Sequence, residues 1–98
     1  MAENSRRDQF INAIKQKLDD LNEQIGKLED RATEASGKVK ERYKDQLEDV
    51  RGKRDQLEVK LKEVRAASES ELERLKGEAE HAWKALKSSY NYFLSHFK

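Results

Sequence analysis

The fold of this chain is decided by the stretch FINAIKQKLDDLNEQIGKLEDRATEASGKV, residues 10–39. Its apolar residues recur at steps of three and four, and the same rhythm resumes from Tyr43 to Val64 and from Leu72 to Phe97. Such spacing places the apolar side chains on one stripe of an α-helix. Nearly all remaining positions carry charged or amide side chains. Because a single helix cannot bury its own stripe, the stripe must meet another helix, from this chain or from a second one.

The residues expected to make these helix–helix contacts form an interaction stripe. Its members are Phe10, Ile14, Leu18, Leu21, Ile25, Leu28, Val39, Tyr43, Leu47, Val50, Leu57, Leu61, Val64, Leu72, Leu75 and Leu86. Two slips interrupt its period, one where Val39, Tyr43 and Leu47 follow each other at steps of four and one near Ser68. Averaged over the chain, the step is about 3.6 residues, which favours nearly straight helices in a bundle.

Composition limits the chain to one helical domain. Of its 98 residues, 35% are hydrophobic and 42% are charged, and there is no proline. Disordered chains share such a composition, but they lack a sustained apolar period. A net charge of +1 with interleaved signs argues against nucleic-acid binding. The absence of cysteine excludes disulfides and thiolate zinc sites. No apolar run is long enough to span a membrane, and the N-terminus MAENSRR lacks the apolar core of a secretory signal, so we expect a cytoplasmic protein.

Two segments are candidates for a turn. Ala35-Ser36-Gly37 is small and weakly helical, and the segment 66–71 contains two possible capping boxes, Ser68 with Glu71 and Ser70 with Glu73. We favour the second, which predicts a long helix over about 5–66, a turn over 67–70 and a helix over about 70–97. The result would be a long antiparallel helical hairpin or coiled-coil bundle. Because its short arm would cover only part of the long arm, we expect self-association as a homodimer or larger assembly.

The C-terminal segment differs in kind from the rest of the chain. Five of the seven aromatic residues lie in the final 16 residues, and no acidic residue follows Glu80. Such a segment is typical of an amphipathic helix at a membrane surface, and equally of the well-packed end of a bundle. The residues of this possible membrane or partner face are Trp83, Tyr90, Phe93, Leu94 and Phe97.

No constellation of residues predicts catalysis, so we expect a protein that is not an enzyme and has no cofactor. Ser–His–Asp spacing, glycine-rich phosphate loops and cysteine nucleophiles are all missing from the sequence. Glu78 and His81 form one Glu-x-x-His motif, but di-iron bundles use that motif twice with two further inward glutamates. We therefore predict no metal site. Three glycines inside periodic runs, Gly26, Gly52 and Gly77, are interpreted as tolerated surface glycines, with close helix approach as the alternative.

Several segments resemble a family of small bacterial coiled-coil proteins described as stress-response proteins. The segments are KLDDLNEQIGKLE (17–29), Tyr43 followed by QLE (46–48), KRDQL (53–57), ASE (67–69) and AWKALK (82–87). The resemblance covers nearly the whole chain, and AWKALK is its most specific part. It implies a helical, soluble protein with no established activity or catalytic residue. The C-terminal SSYNYFLSHF departs from the Ala- and Glu-rich helix expected for the family.

These observations predict a non-enzymatic helical scaffold or interaction protein that acts through self-association, with a stress-related role implied by the resemblance. Its partner would be a second copy of the chain, another protein or a membrane surface, and not a nucleic acid. The main alternative is a peripheral membrane protein that binds lipid through its C-terminal amphipathic helix. A metal-binding bundle is a third possibility.

Overall fold

A computed structural model describes residues 2–34 and 37–96, which form three α-helices and no strand. Helix α1 spans Ala2–Glu34, α2 spans Gly37–Ala66 and α3 spans Glu69–His96. The three helices pack into one bundle with principal extents of 54 × 19 × 18 Å. A helix of about 33 residues is roughly 50 Å long, so the bundle is one helix long. The predicted all-α helical bundle is confirmed.

Helices α1 and α2 are antiparallel, as contacts at both ends of the pair show. The guanidinium of Arg7, near the start of α1, donates to the backbone carbonyls of Arg65 at 3.1 Å and Ala67 at 2.9 Å, at the end of α2. Toward the other end, Arg51 of α2 forms a 3.0 Å ion pair with Glu29 of α1.

Helix α3 returns antiparallel to α2 and lies beside α1. Lys60 of α2 forms a 2.8 Å ion pair with Glu78 of α3, and the hydroxyl of Ser89 donates to the carboxylate of Asp49. Helix α1 meets α3 where the Lys76 ammonium lies 5.3 Å from the centre of the Phe10 ring. The chain therefore runs up, down and up again.

The predicted continuous helix over residues 5–66 is wrong, because this part of the chain forms two antiparallel helices. Gly37, the first residue of α2, has φ +69°, a left-handed conformation that glycine adopts without steric cost. Its neighbours Ala35 and Ser36 lie outside the described residues. Continuing a helix through Ser and Gly costs only about 0.5–1 kcal/mol each, yet folding back buries large apolar side chains, each worth about 1.5–3 kcal/mol. Burial therefore decides where the helix ends.

The second turn is short and consists of Ala67 and Ser68. The Ser68 carbonyl accepts the backbone N–H groups of Glu71 at 3.1 Å and Leu72 at 3.0 Å, so Ser68 is the residue that starts α3. The capping box predicted for Ser68 and Glu71 would pair the Ser68 hydroxyl with the backbone N–H of Glu71. The Ser68 hydroxyl instead lies 3.2 Å from the hydroxyl of Ser70. Phe97, at the predicted end of the third helix, lies outside the described residues.

Each helix has its own regular apolar period. In α1 the period begins at Ile11, which is buried, whereas Phe10 is only partly buried against the core. The slips that the sequence shows near residue 39 and near Ser68 therefore fall close to helix ends, and each marks the start of a new helix rather than a stutter in one. The side chain of Val39 itself lies outside the described residues.

The three-helix bundle removes the reason for which self-association was predicted. A long helix covered over half its length would need a second chain. In the bundle, the buried apolar residues of all three helices instead form one cluster within the chain. Any second chain must therefore bind a different surface.

Candidate functional site: the groove between α2 and α3

The predicted interaction stripe lies inside the bundle. Of its sixteen residues, Phe10 is partly buried and the side chain of Val39 lies outside the described residues; the other fourteen are buried. Ile25, Val50 and Leu57 have no exposed surface at all. The stripe is thus the core of one chain, and a partner would have to bind elsewhere.

The C-terminal aromatic residues also belong mainly to the bundle. Phe93 is 1% exposed, and its ring meets that of Tyr43 edge to face with the centroids 4.6 Å apart. Trp83, Tyr90 and Leu94 are partly buried against the core. These side chains hold α3 in place, and Phe93 cannot reach a membrane unless the bundle opens. Phe97 lies outside the described residues.

An open groove of about 800 Å³ follows the seam between α2 and α3. A shallower depression continues it toward the C-terminal end of α3 and shares Lys53 and Ala85 with it. We call the two together the α2–α3 groove. Its lining residues, all from these two helices, are Gln46, Asp49, Lys53, Asp55, Gln56, Val59, Lys60, Glu63, Arg74, Gly77, Glu78, His81, Ala82, Ala85, Ser88, Ser89 and Tyr92.

Two exposed apolar side chains line this groove. Val59 on α2 and Tyr92 on α3 are each 52% exposed. Among the residues that the structure describes, these are the two large hydrophobic side chains that are exposed. A single exposed apolar side chain is ordinary in a folded protein. Here one such side chain lies in each part of the α2–α3 groove, Val59 in the deeper part and Tyr92 in the depression that continues it.

The α3 wall of the groove contains small residues among larger polar ones. Gly77, Ala82 and Ala85 line it, and a methyl group added at Gly77 would meet no atom of the chain within 4 Å. Small residues let a second helix approach closely. A methyl group added at Gly26 or at Gly52 would also meet open space, so close packing within the described residues requires none of the three glycines.

The charges along the groove are paired with each other. The Lys60 ammonium lies between the carboxylates of Glu63 at 3.4 Å and Glu78 at 2.8 Å, and Arg74 reaches the other Glu78 oxygen at 2.8 Å. The hydrogen bond from Lys60 is the main cause that lowers the pKa of Glu78, and the bond to Glu78 is the main cause that raises the pKa of Lys60. This network joins α2 to α3 along one rim.

A second set of polar contacts lies at the other end of the groove. The Ser89 hydroxyl, buried at the helix seam, donates to Asp49, and Lys53 lies 3.4 Å from the same carboxylate. The hydrogen bond from Ser89 is the main cause that lowers the pKa of Asp49, and the Lys53 charge acts in the same direction. Asp55, the remaining charged residue of the lining, contacts Arg54 at 3.5 Å.

One motif that the sequence singled out, Glu78 with His81, lies in this groove. Both oxygens of Glu78 are engaged by cations, so the Glu78 and His81 pair presents no free carboxylate to a metal. Within residues 2–34 and 37–96, no group of three or more His, Asp or Glu side chains is placed to hold a metal ion. In the same residues, no helix has both the length and the apolar character required to cross a membrane.

Comparison with protein-family models, with curated proteins and with solved structures finds no match to this chain. The groove is therefore interpreted from its own geometry and chemistry.

Sequence reasoning missed the groove, although a signal for it was present. Val59 lies two residues from Leu57 and two from Leu61, so it falls off the buried face of α2 among charged neighbours. A β-branched apolar residue on an otherwise polar face is that signal. Gly77 and Ala85, eight residues apart on α3, give a second one, because they fall on the same face of the helix.

Proposed function

We propose that this chain is a non-enzymatic interaction protein that binds a protein helix in the α2–α3 groove. The observation that carries the proposal is that Val59 and Tyr92, both half-exposed, share one groove with the small residues Gly77 and Ala85. Two antiparallel helices with an apolar seam between them are the seat for another helix in four-helix bundles and in helix-in-groove complexes.

The shape and charge of the groove favour a helix over a lipid bilayer. A membrane-surface helix presents a convex apolar face flanked by cations. The α2–α3 groove is concave, and its rim carries Glu63, Glu78 and Asp49 together with the cations that pair with them. Carboxylates at the rim would face anionic lipid headgroups unfavourably, whereas a helix backbone fits a concave seam.

The cellular setting remains the one that the family resemblance suggests. We propose a stress-related role in the cytoplasm, carried out by binding and without a cofactor. The candidate partners are a second copy of the chain and a helix of another protein.

Photo-cross-linking from a single position tests the proposed function. A benzoylphenylalanine placed at Val59 lies in the groove, and the matched control at Ala13 lies on the exposed face of α1, which is remote from the groove lining. We expect cross-linked species in living cells from position 59 and few from position 13, with the captured peptide belonging to an amphipathic helix. Equal cross-linking from both positions, or none from position 59, would contradict the proposal.

A further inference from the structure

We infer that a crevice between α1 and α3 binds a small anionic amphiphile that is free in solution, with a medium-chain carboxylate as its chemical class. The crevice has a volume of about 290 Å³. It shares no lining residue with the α2–α3 groove, so the site is independent of the proposed function. Its lining includes Lys17, Asp20 and Leu21 from α1 and Trp83, Lys87 and Tyr90 from α3.

Three apolar side chains line the crevice. Leu21 is a core residue that is 8% exposed, and it lines the crevice from α1. Trp83 and Tyr90 line it from α3, and both are only partly buried against the core. Aromatic side chains of this kind offer a large apolar contact surface together with a polar tip. The crevice can therefore cover the apolar part of a ligand, as small-molecule sites generally do.

The cations that line the crevice are not neutralised by an ion pair. Lys17 and Lys87 are exposed, and among the residues that the structure describes neither forms an ion pair. The α2–α3 groove differs, because each lysine and arginine of its lining is paired with a carboxylate. In the described lining of the crevice, two lysines stand against one carboxylate, Asp20, which leaves a net charge of +1. The crevice therefore attracts an anionic group.

The helix register places the two lysines close enough to share one anionic group. Phe10 of α1 is level with Lys76 of α3, whose ammonium lies 5.3 Å from the centre of the Phe10 ring. Seven residues further along these parallel helices are Lys17 and Trp83, and Lys87 lies four residues beyond Trp83, or about 6 Å at roughly 1.5 Å per residue. Packed helices lie about 8–10 Å apart, so two long lysine side chains can reach a single carboxylate between them.

The volume of the crevice sets the size of the ligand. About 290 Å³ holds about ten water-sized groups at roughly 30 Å³ each. Octanoate, a carboxylate on a linear alkyl chain, has this number of non-hydrogen atoms. A ligand so small, held in an open crevice, should bind weakly, with a dissociation constant between about 0.1 and 10 mM.

Tryptophan fluorescence of the full chain, titrated with sodium octanoate, tests the inference. Trp83 is the only tryptophan of the chain and lines the crevice, so its emission reports the site directly. We expect a saturable blue shift as the alkyl chain covers the indole ring. Octylammonium, which has the same alkyl chain and the opposite charge, should bind at least about fivefold more weakly. Sodium acetate, which lacks the chain, should give no shift.

A pair of double variants separates the crevice lysines from charge in general. Lys17→Gln with Lys87→Gln should raise the dissociation constant for octanoate at least about fivefold, since both ion pairs with the carboxylate are lost. Lys27→Gln with Lys84→Gln is the matched control, because these lysines are also exposed, lie on the same two helices and are outside the crevice lining. The control should change the constant by less than about twofold. Circular dichroism of each variant checks that the helices are intact.

Several results would overturn the inference. They are a Trp83 emission that octanoate does not change in a saturable way, equal affinity for octylammonium, and an equal loss of affinity in the two double variants. A chain whose emission responds to vesicles of phosphatidylcholine and phosphatidylglycerol but not to octanoate would also overturn it, since the ligand would then be a bilayer surface. None of these results bears on the helix proposed to bind the α2–α3 groove, which is tested by cross-linking from position 59.

Discussion

Lys60 on α2 and Glu78 on α3 form a 2.8 Å ion pair across the seam between the two helices. Ser89 contacts Asp49 eleven residues further along both helices, from 60 to 49 and from 78 to 89. Eleven residues are about three helical turns, so the two contacts belong to one regular antiparallel seam. The α2–α3 groove lies along this seam, and its walls are therefore held at both ends.

The direction in which Gly37→Ala changes the free energy of unfolding distinguishes the observed turn from a continuous helix. Gly37 has a left-handed φ of +69°, and alanine in that conformation costs about 1–2 kcal/mol. We expect Gly37→Ala to lower the free energy of unfolding by at least about 1 kcal/mol in urea denaturation. In a continuous helix the same change would raise it by about 1 kcal/mol, so a stabilised variant would refute the turn.

We expect Gly26→Ala to change the free energy of unfolding in the opposite direction. Gly26 lies inside α1 and a methyl group there meets open space, so alanine should stabilise the protein by about 0.5–1 kcal/mol through helix propensity alone. Urea denaturation followed by circular dichroism measures both variants under identical conditions. A loss of stability on Gly26→Ala would show a close contact that the bundle does not contain.

Phe93 should be a core residue and its neighbour Tyr92 should not. Phe93 is 1% exposed, so Phe93→Ala should cost about 3–5 kcal/mol, which is a large part of the stability of a small domain. Tyr92 is 52% exposed, and Tyr92→Ser should change the free energy of unfolding by no more than about 0.5 kcal/mol. If Phe93 were a membrane-facing residue, its replacement would leave the stability in buffer nearly unchanged.

Arg7 should stabilise the bundle while Arg6 should not. Arg7 donates to the carbonyls of Arg65, in the last turn of α2, and Ala67, in the turn that follows, where helical hydrogen bonds no longer supply a donor. We expect Arg7→Ala to cost about 1–2 kcal/mol, whereas Arg6→Ala, at an exposed position, should stay within about 0.5 kcal/mol. Thermal denaturation of the two variants side by side tests the difference, and equal effects would contradict the contact.

Acid should weaken the contact between Ser89 and Asp49. Because the folded-state pKa of Asp49 is lowered, the stabilisation is present above its unfolded value of about 4 and is lost as the pH falls through the folded-state pKa. At pH 7 we expect Ser89→Ala to cost about 1 kcal/mol, since the carboxylate is half-exposed and the bond is partly screened. Denaturation at pH 7 and at about pH 2 should show that this difference shrinks. A difference independent of pH would show that the carboxylate is not the acceptor.

The sequence predicted the helical class because the apolar period is long and the helix formers are many. It did not predict the turn near Gly37, because serine and glycine penalise a helix only weakly and no proline marks the break. The apolar step pattern from Val39 to Leu47 was the better signal, since a change of phase means that two segments cannot share one buried face. Fourteen of the sixteen periodic residues selected for the interaction stripe are buried within the one chain.

The groove could not be predicted because it depends on which faces α1 leaves uncovered. The position of Val59 off the stripe is visible in the sequence, but its place in one groove with Ala85 follows only from the antiparallel register of α2 and α3. That register comes from burial of Leu57, Leu61 and Leu75 in one core, a result of packing between residues distant in the sequence.

Small-angle X-ray scattering of Val59→Glu at low concentration tests the central claim, that one chain covers its own apolar stripe. The variant keeps the buried core residues and changes only an exposed one. We expect a radius of gyration close to the 15.8 Å of the bundle and a longest dimension near 54 Å. A particle about 93 Å long, the length of an unbroken helix over residues 5–66 at roughly 1.5 Å per residue, would contradict the three-helix bundle and restore the need for a second chain to cover the stripe.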